Sequence, residues 1–270
     1  MGLPTPPLLV LLGHPGRRRR IRVALHSGVL QRCIGPAISA SSWLDLAELA
    51  EEHPGSPAVV DPGFGGTGDP FSVGSAYQFR GAWSSAPLIC YANLDDAQWR
   101  QLDQMDIPFT AWLRPGLNDR FGTIDSAILQ SIDVRRVQRL LERIERNAHP
   151  DVCAIISCAL ARAIGPCTVR EFAADLGIAE RTLQHHCYTL RIPSPKTLLS
   201  LAKAFTVERL AEWSRQPVGA VALALGFSDR SNYRRMVRQT LGARPSAIRQ
   251  WSGSDWAMDT IVAALKRADT

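Results

Sequence analysis

The chain has 270 residues, 46% of them hydrophobic, and 31 Lys and Arg against 25 Asp and Glu, for a net charge of +6. That is enough apolar chain for two cores, and no apolar run approaches the length that crosses a bilayer, which argues against a membrane-spanning protein. Six cysteines without a CxxC pair read as reduced, mostly core thiols of a cytoplasmic protein, not as a disulfide framework or a metal site.

From the N-terminus, residues 7–12 (PLLVLL) form a buried-strand run, Arg18 to Leu30 a helix, residues 33–39 (CIGPAIS) a weak strand and Trp43 to Glu52 an amphipathic helix. LLVLL is too short for a secretory signal, and Arg17 to Arg20 follow it where a signal carries its charge before; the arginine run reads as a solvated helix start. Residues 57–61 (PAVVD), 87–91 (PLICY) and 107–113 (IPFTAWL) are further short apolar runs, with a helix from Leu94 to Gln104 before the last. Short continuous apolar strands alternating with helices predict a parallel, doubly wound sheet over residues 1–125. Between them, residues 63–86 are rich in Gly and Ser; GFGGTG lacks the GK[ST] of a phosphate-cradling loop, so a connection is expected there.

With an acid, Asp61, at the end of the third strand, this alternation resembles a response-regulator receiver domain, of flavodoxin-like fold, in outline. That resemblance implies Asp61 as a vestigial phosphoacceptor. The chemistry around it is missing: Gly13-His14-Pro15 stands where a receiver has the acidic pair that holds Mg²⁺, and Arg114, not Lys, precedes Pro115. The expectation is a degenerate receiver-like regulatory domain used for contacts.

Ser126 to Asn147 carries apolar residues at Ile128, Ile132, Val137, Leu140, Leu141 and Ile144, the pattern of one helix of about six turns, and residues 126–148 are expected to link two domains. His149-Pro150 breaks it, and Val152 to Ile164 opens the next domain, ended by Gly165-Pro166.

Within residues 149–250 one local pattern occurs twice. VREFAADLGIAERTLQHHCYTL begins at Val169 and VGAVALALGFSDRSNYRRMVRQTL at Val218, with Gly226 placed 49 residues after Gly177. Before the turn Val169, Phe172, Ala173 and Leu176 match Val218, Val221, Ala222 and Leu225; after it the second copy has one extra residue, so Leu183 and Cys187 answer to Tyr233 and Val237. A helix, a Gly-hydrophobic turn and an arginine-bearing second helix are the grammar of a helix-turn-helix unit. Thr168 with Glu171 has capping-box spacing, and Ser228 is expected to cap the second recognition helix with Asp229 in its first turn. Ala179, the matching residue of the first unit, cannot cap.

The second copy resembles the second helix-turn-helix of the AraC/XylS family of transcriptional regulators, through Ala222, Gly226, Phe227, Ser228, Ser231, Tyr233, Arg235, Arg238, Gly242, Pro245, Ser246 and Arg249. SPKTLLSLAKAFTVERLAEW resembles the family's linker helix, with Ser194 as cap and Pro195 at the first helical position. The chain departs from the family at His185, His186 and Cys187, where an Arg-rich stretch ending in Phe is usual, and at Val237 in place of Phe. The resemblance spans roughly residues 150–250, and implies an all-α domain with two helix-turn-helix units, no cofactor, double-stranded DNA as ligand and RNA polymerase as a further partner. A homodimer stays open, and two units in one chain can address neighbouring major-groove faces without one. A helical tail, Asp255 to Lys266, lies in the segment 251–270 beyond the motif, as a packing or dimer element.

Charge agrees independently. Residues 168–250 hold 13 Lys and Arg against 6 Asp and Glu, a net of +7, and the rest of the chain carries −1. Helical spacing turns Leu183 and Cys187 inward on the first recognition helix and Tyr233 and Val237 inward on the second. Arg181, Thr182, Gln184 and His185 then face out on one, and Arg230, Ser231, Asn232, Arg234, Arg235 and Arg238 on the other. Arg to guanine and Asn or Gln to adenine are the bidentate pairs that fit, which assigns Arg181, Gln184, Arg230, Asn232 and Arg234 to bases. Ser231, Arg235, Arg238 and His185 are assigned to phosphates. The competing class is an enzyme, a phosphorelay protein acting through Asp61 or a reactive-cysteine protein acting through Cys33 or Cys90, with a helix-turn-helix appended.

Overall fold

A computed structural model of the chain describes residues 5–26, 28–64, 87–104 and 109–266, in two compact units, Met1–Val134 and Arg135–Thr270. The Gly- and Ser-rich connection expected over residues 63–86 lies outside the described residues from residue 65 onward, as do the first two residues of the run 107–113.

In the first unit five strands, β1 (Leu8–Leu11), β2 (Ala37–Ser39), β3 (Ala58–Val60), β4 (Leu88–Tyr91) and β5 (Phe109–Leu113), make one sheet in the order β2-β1-β3-β4-β5 with every neighbouring pair parallel. This is the flavodoxin-like order, in which the chain reverses direction across the sheet between β1 and β3. The helices are α1 (Pro15–Leu25), α2 (Leu30–Cys33), α3 (Trp43–Glu52), α4 (Asp96–Gln104) and α5 (Phe121–Ser131). All residues of β1, β3 and β4 are buried, which is why those strands read as unbroken apolar runs. Trp43, Leu46 and Ala50 of α3 and Leu102 of α4 pack with Leu9, Leu11, Val60 and Leu88 in one core cluster.

Three sequence expectations need correcting here. The helix expected from Arg18 to Leu30 starts at Pro15 and stops at Leu25, and Cys33 ends the separate helix α2 instead of opening a strand. The Nδ1 of His14 accepts the Gly16 N–H and caps α1, a role invisible in a sequence where His14-Pro15 looks like a loop. The arginine run is not a solvated helix start, since Arg17 pairs with Asp61, Arg18 donates to the Gly13 carbonyl and Arg20 meets Asp119 at 2.5 Å.

The single helix expected over Ser126 to Asn147 is two, α5 and α6 (Val134–Glu145), separated at Ile132 and Asp133. Asp133 has φ +49°, a left-handed conformation that ends an α-helix, and the apolar spacing on either side hid it.

In the second unit α6 is followed by α7 (Pro150–Ala161), α8 (Val169–Asp175), α9 (Glu180–Thr189), α10 (Pro195–Ser214), α11 (Val218–Ala224), α12 (Arg230–Leu241), α13 (Pro245–Gln250) and α14 (Ser254–Lys266). His149-Pro150 opens α7 where a break was expected, because proline suits the first helical turn and His149 Nδ1 accepts the Asp151 N–H. The spine is α10: Ala204 to Ala211 are buried without interruption, so that stretch is enclosed on every side. Helices α7, α11, α12 and α14 pack against it, and α9 adds a smaller contact. The tail helix α14 is thus a packing element, with Ala257, Met258, Ile261 and Val262 buried.

The cap of α12 also differs from expectation. Asp229, not Ser228, is the N-cap: its Oδ1 accepts the Asn232 N–H at 2.7 Å, and Ser228 donates to the Asp229 carboxylate. Asp229→Ala should therefore lower the thermal unfolding midpoint of the full chain, while Ser228→Ala leaves it nearly unchanged; the reverse ranking by calorimetry would restore Ser228 as the cap.

Candidate nucleic-acid interface

The two repeats fold into helix pairs α8–α9 and α11–α12. The turns between them need Gly177 (φ +70°) and Gly226 (φ +93°), a backbone region that costs an L side chain strain. In each turn the next residue's N–H returns to a small residue of the first helix, Ile178 to Ala173 and Phe227 to Ala222, closing the elbow the same way. Thr168 and Glu171 form the full capping box of α8, and Ala179 leaves α9 without a side-chain cap.

The inward faces match the spacing argument. Leu183 and Cys187 of α9 and Tyr233 and Val237 of α12 are buried. Phe227 meets the Tyr233 ring edge-on at 5.2 Å, so the elbow and α12 share one aromatic contact.

The outward faces carry the polar inventory. Arg181, Thr182, Gln184 and His185 are exposed on α9, where Gln184 donates to Glu180 at 3.3 Å. On α12 Arg230, Ser231, Arg234, Arg235 and Arg238 are exposed. Asn232 is half-buried, its amide donating to Ser228 Oγ at 3.2 Å and accepting from Arg235 at 3.3 Å. Two surface depressions flank this helix. One, of about 430 Å³, is lined by Arg230, Arg234 and Arg238, and the other, of about 580 Å³, by Ser231, Asn232, Arg235 and again Arg234 and Arg238. Arg234 and Arg238 border both, so they stand on the crest of α12, with Arg230 on one flank and Arg235 on the other.

Residues 172–250 match the family model of a helix-turn-helix domain. This segment is a helix-turn-helix domain of the AraC type. A domain of this type marks a DNA-binding regulator of transcription. No curated protein matches the chain. Among solved structures it is similar to full-length FixJ from B. japonicum, at 12% identity and a TM-score of 0.39 over 79% of this chain and 98% of that one, a likeness too distant to speak for fold or function. Among the described residues no helix is long and apolar enough to cross a membrane.

Behind α12, the second helix of the second pair, lies a residue that the sequence did not single out. Glu208, in the buried stretch of α10, accepts the Tyr233 hydroxyl at 2.9 Å, and its second oxygen has no hydrogen-bond partner among the described residues. Burial pushes its carboxyl up to about 7, with Glu212 adding to the rise, against the pull of the Tyr233 hydrogen bond and of Arg249. The signal was present in the run Ala204 to Trp213, where Glu208 falls on the stripe that packs, but a charged residue in a linker helix reads by default as solvated. Arg244 and Gly219 were also missed as site residues; both border the depression on the Arg230 side of α12.

Asp61 sits just past β3, its N–H donating to the Leu11 carbonyl and its Oδ1 accepting the Gly63 N–H. The Arg17 guanidinium pairs with its Oδ2 and also reaches the Tyr91 carbonyl at 3.2 Å. A cation supplied by the chain therefore occupies one carboxylate oxygen, and a backbone N–H the other. Cys90, behind it, is buried, and burial together with the Asp61 charge pushes its thiol far up from the ordinary range, the opposite of a reactive thiolate. Burial likewise pushes Cys187 up to about 11.

Glu208 yields a pH test. Its folded-state pKa lies above the unfolded value, so its contribution to stability is greatest below about pH 4.3 and is lost as pH rises to about 7. The full chain should lose roughly 3 kcal/mol of stability over that interval from this group, and Glu208→Gln should flatten that part of the profile. Denaturant unfolding at pH 5 and pH 8 that changes equally in both proteins would remove Glu208 from this role.

Proposed function

We propose that the chain is a sequence-specific transcriptional regulator whose two recognition helices, α9 and α12, read adjacent major-groove faces of one duplex. What carries this reading is the repeated helix pair on either side of the buried helix α10. The chain runs from α9 through Leu190 to Ser194 straight into α10, and Tyr233 fastens α12 to Glu208 in the later half of α10. The stretch from Pro195 to Glu208 spans roughly 20 Å of helix between these two attachment points, a fixed spacer between the units.

On this reading Arg181 and Gln184 of α9 and Arg234 of α12 contact bases, with Thr182 beside them. Ser231, Arg235, Arg238 and His185 contact phosphates, as flanking polar and cationic groups do. Asn232 has less freedom to read a base than its type suggests, since its amide already serves Ser228 and Arg235. Residues 1–125 form the regulatory domain and residues 149–250 the DNA-binding domain, with RNA polymerase as the downstream partner and a homodimer as one mode of assembly. Asp61 serves that regulatory domain as a structural ion-pair partner of Arg17, a role supported by the salt bridge between them.

Selection of bound sites from a random duplex pool tests this. The wild-type chain should enrich a site with two conserved elements. Gln184→Ala should relax one element and Arg234→Ala the other, each by about 1 to 3 kcal/mol of discrimination. A pool that stays random, or two variants that erode the same element, would overturn the reading.

A further inference from the structure

The arginines of the second unit fall into two groups. Arg136 pairs with Glu212, Arg143 with Asp259 and Arg162 with Asp175, each joining elements of the fold. Arg230, Arg234, Arg238 and Arg244 have no carboxylate partner among the described residues, and with Arg249 they line one groove of about 430 Å³. Among the described residues no Asp or Glu lines that groove. Asp229, the residue before Arg230, borders the depression on the other flank and caps α12, and Glu208 is buried behind Tyr233, its carboxyl pushed up to about 7 by burial, which leaves it a weak counter-charge.

The groove is built from three places in the sequence. Arg230, Arg234 and Arg238 are spaced i, i+4, i+8 and form one stripe of α12. Arg244 is the residue before Pro245 at the start of α13, and Arg249 donates to the Gln216 carbonyl at 2.9 Å, tying α13 to the chain that enters α11. Gly219 borders it from α11. A Cβ on Gly219 would stand 3.1 Å from Cγ and Cδ of Arg230, so the Arg230 stem lies against bare backbone and follows the groove.

We propose that this groove seats a phosphate of the DNA backbone, held by Arg230 and Arg244 beside the Arg249 tether, and that Gly219 keeps the seat open. Guanidinium groups concentrated without a carboxylate raise the local positive potential, and a phosphate oxygen pair matches their paired N–H donors. The seat flanks the recognition helix, where a strand backbone runs when the helix lies in the major groove. Arg230 consequently moves from the base-reading set to the phosphate set, and the crest residue Arg234 keeps the base. This inference rests on the DNA-binding reading above.

The test uses the full chain and fluorescence anisotropy with its selected duplex and a scrambled duplex of equal length, over a series of KCl concentrations. Arg244→Ala should weaken both duplexes by the same factor and lower the slope of log affinity against log salt by about 1. Gly219→Leu, whose side chain displaces the Arg230 stem and fills the groove, should do the same while circular dichroism stays unchanged. A slope equal to wild type in both variants, or a loss confined to the selected duplex, overturns the phosphate seat and leaves the wild-type reading standing. Wild-type protein that binds the two duplexes equally overturns the sequence-specific reading beneath it, and with no binding at all both fall.

Discussion

The second unit depends on one constraint, that α10 is buried on every side through Ala204 to Ala211. A helix surrounded in this way cannot be moved without opening several interfaces at once, so the elements packed on it inherit its rigidity. α7, α11, α12 and α14 all take their positions from it. The cost is a carboxyl, Glu208, held in the same stretch, and the Tyr233 hydroxyl partly offsets it by satisfying one oxygen. The same hydrogen bond fastens the back of α12, which leaves its crest and flanks free for Arg230, Arg234, Arg235 and Arg238. One side chain that points inward thus fixes where several exposed arginines of α12 stand.

The first unit arranges its charges in the opposite manner. At the C-terminal edge of its parallel sheet, cations and carboxylates close on one another, Arg17 on Asp61 and Arg20 on Asp119, with Tyr91 donating to Asp119 at 2.7 Å. Ligands of open α/β sheets bind at that edge, near the switch in strand order. Here the side chains there satisfy each other. Four arginines in a row at positions 17–20 read in the sequence as a solvated helix start, yet three of them are spent on internal contacts.

Much of this was legible in the residues. Unbroken apolar runs located the strands and 3.6-residue spacing most helices, because β1, β3 and β4 are buried on both faces and the helix pairs carry a repeated register. The turns at Gly177 and Gly226 and the inward residues Leu183, Cys187, Tyr233 and Val237 followed from spacing alone. What stayed hidden depends on tertiary partners. The break at Asp133 has no proline or glycine to announce it, and His14 and His149 cap helices through Nδ1, a role histidine shares with few sequence rules. Ser228 looked the better cap, but Asp229 has the carboxylate that reaches the Asn232 N–H. The groove of five arginines was half visible, since the stripe at 230, 234 and 238 is regular, whereas Arg244 and Gly219 join it only once α11 and α13 fold against α12.

The central claim is that one chain places two recognition helices on one duplex, about one helical turn apart. Hydroxyl-radical footprinting of the selected duplex, with the stoichiometry of the complex measured on the same sample, tests it most directly. Two protected patches on one face of the DNA, about 10 base pairs apart and produced by a single copy of the chain, are the predicted result. One patch per copy, with the second appearing only when a second copy binds, would contradict it.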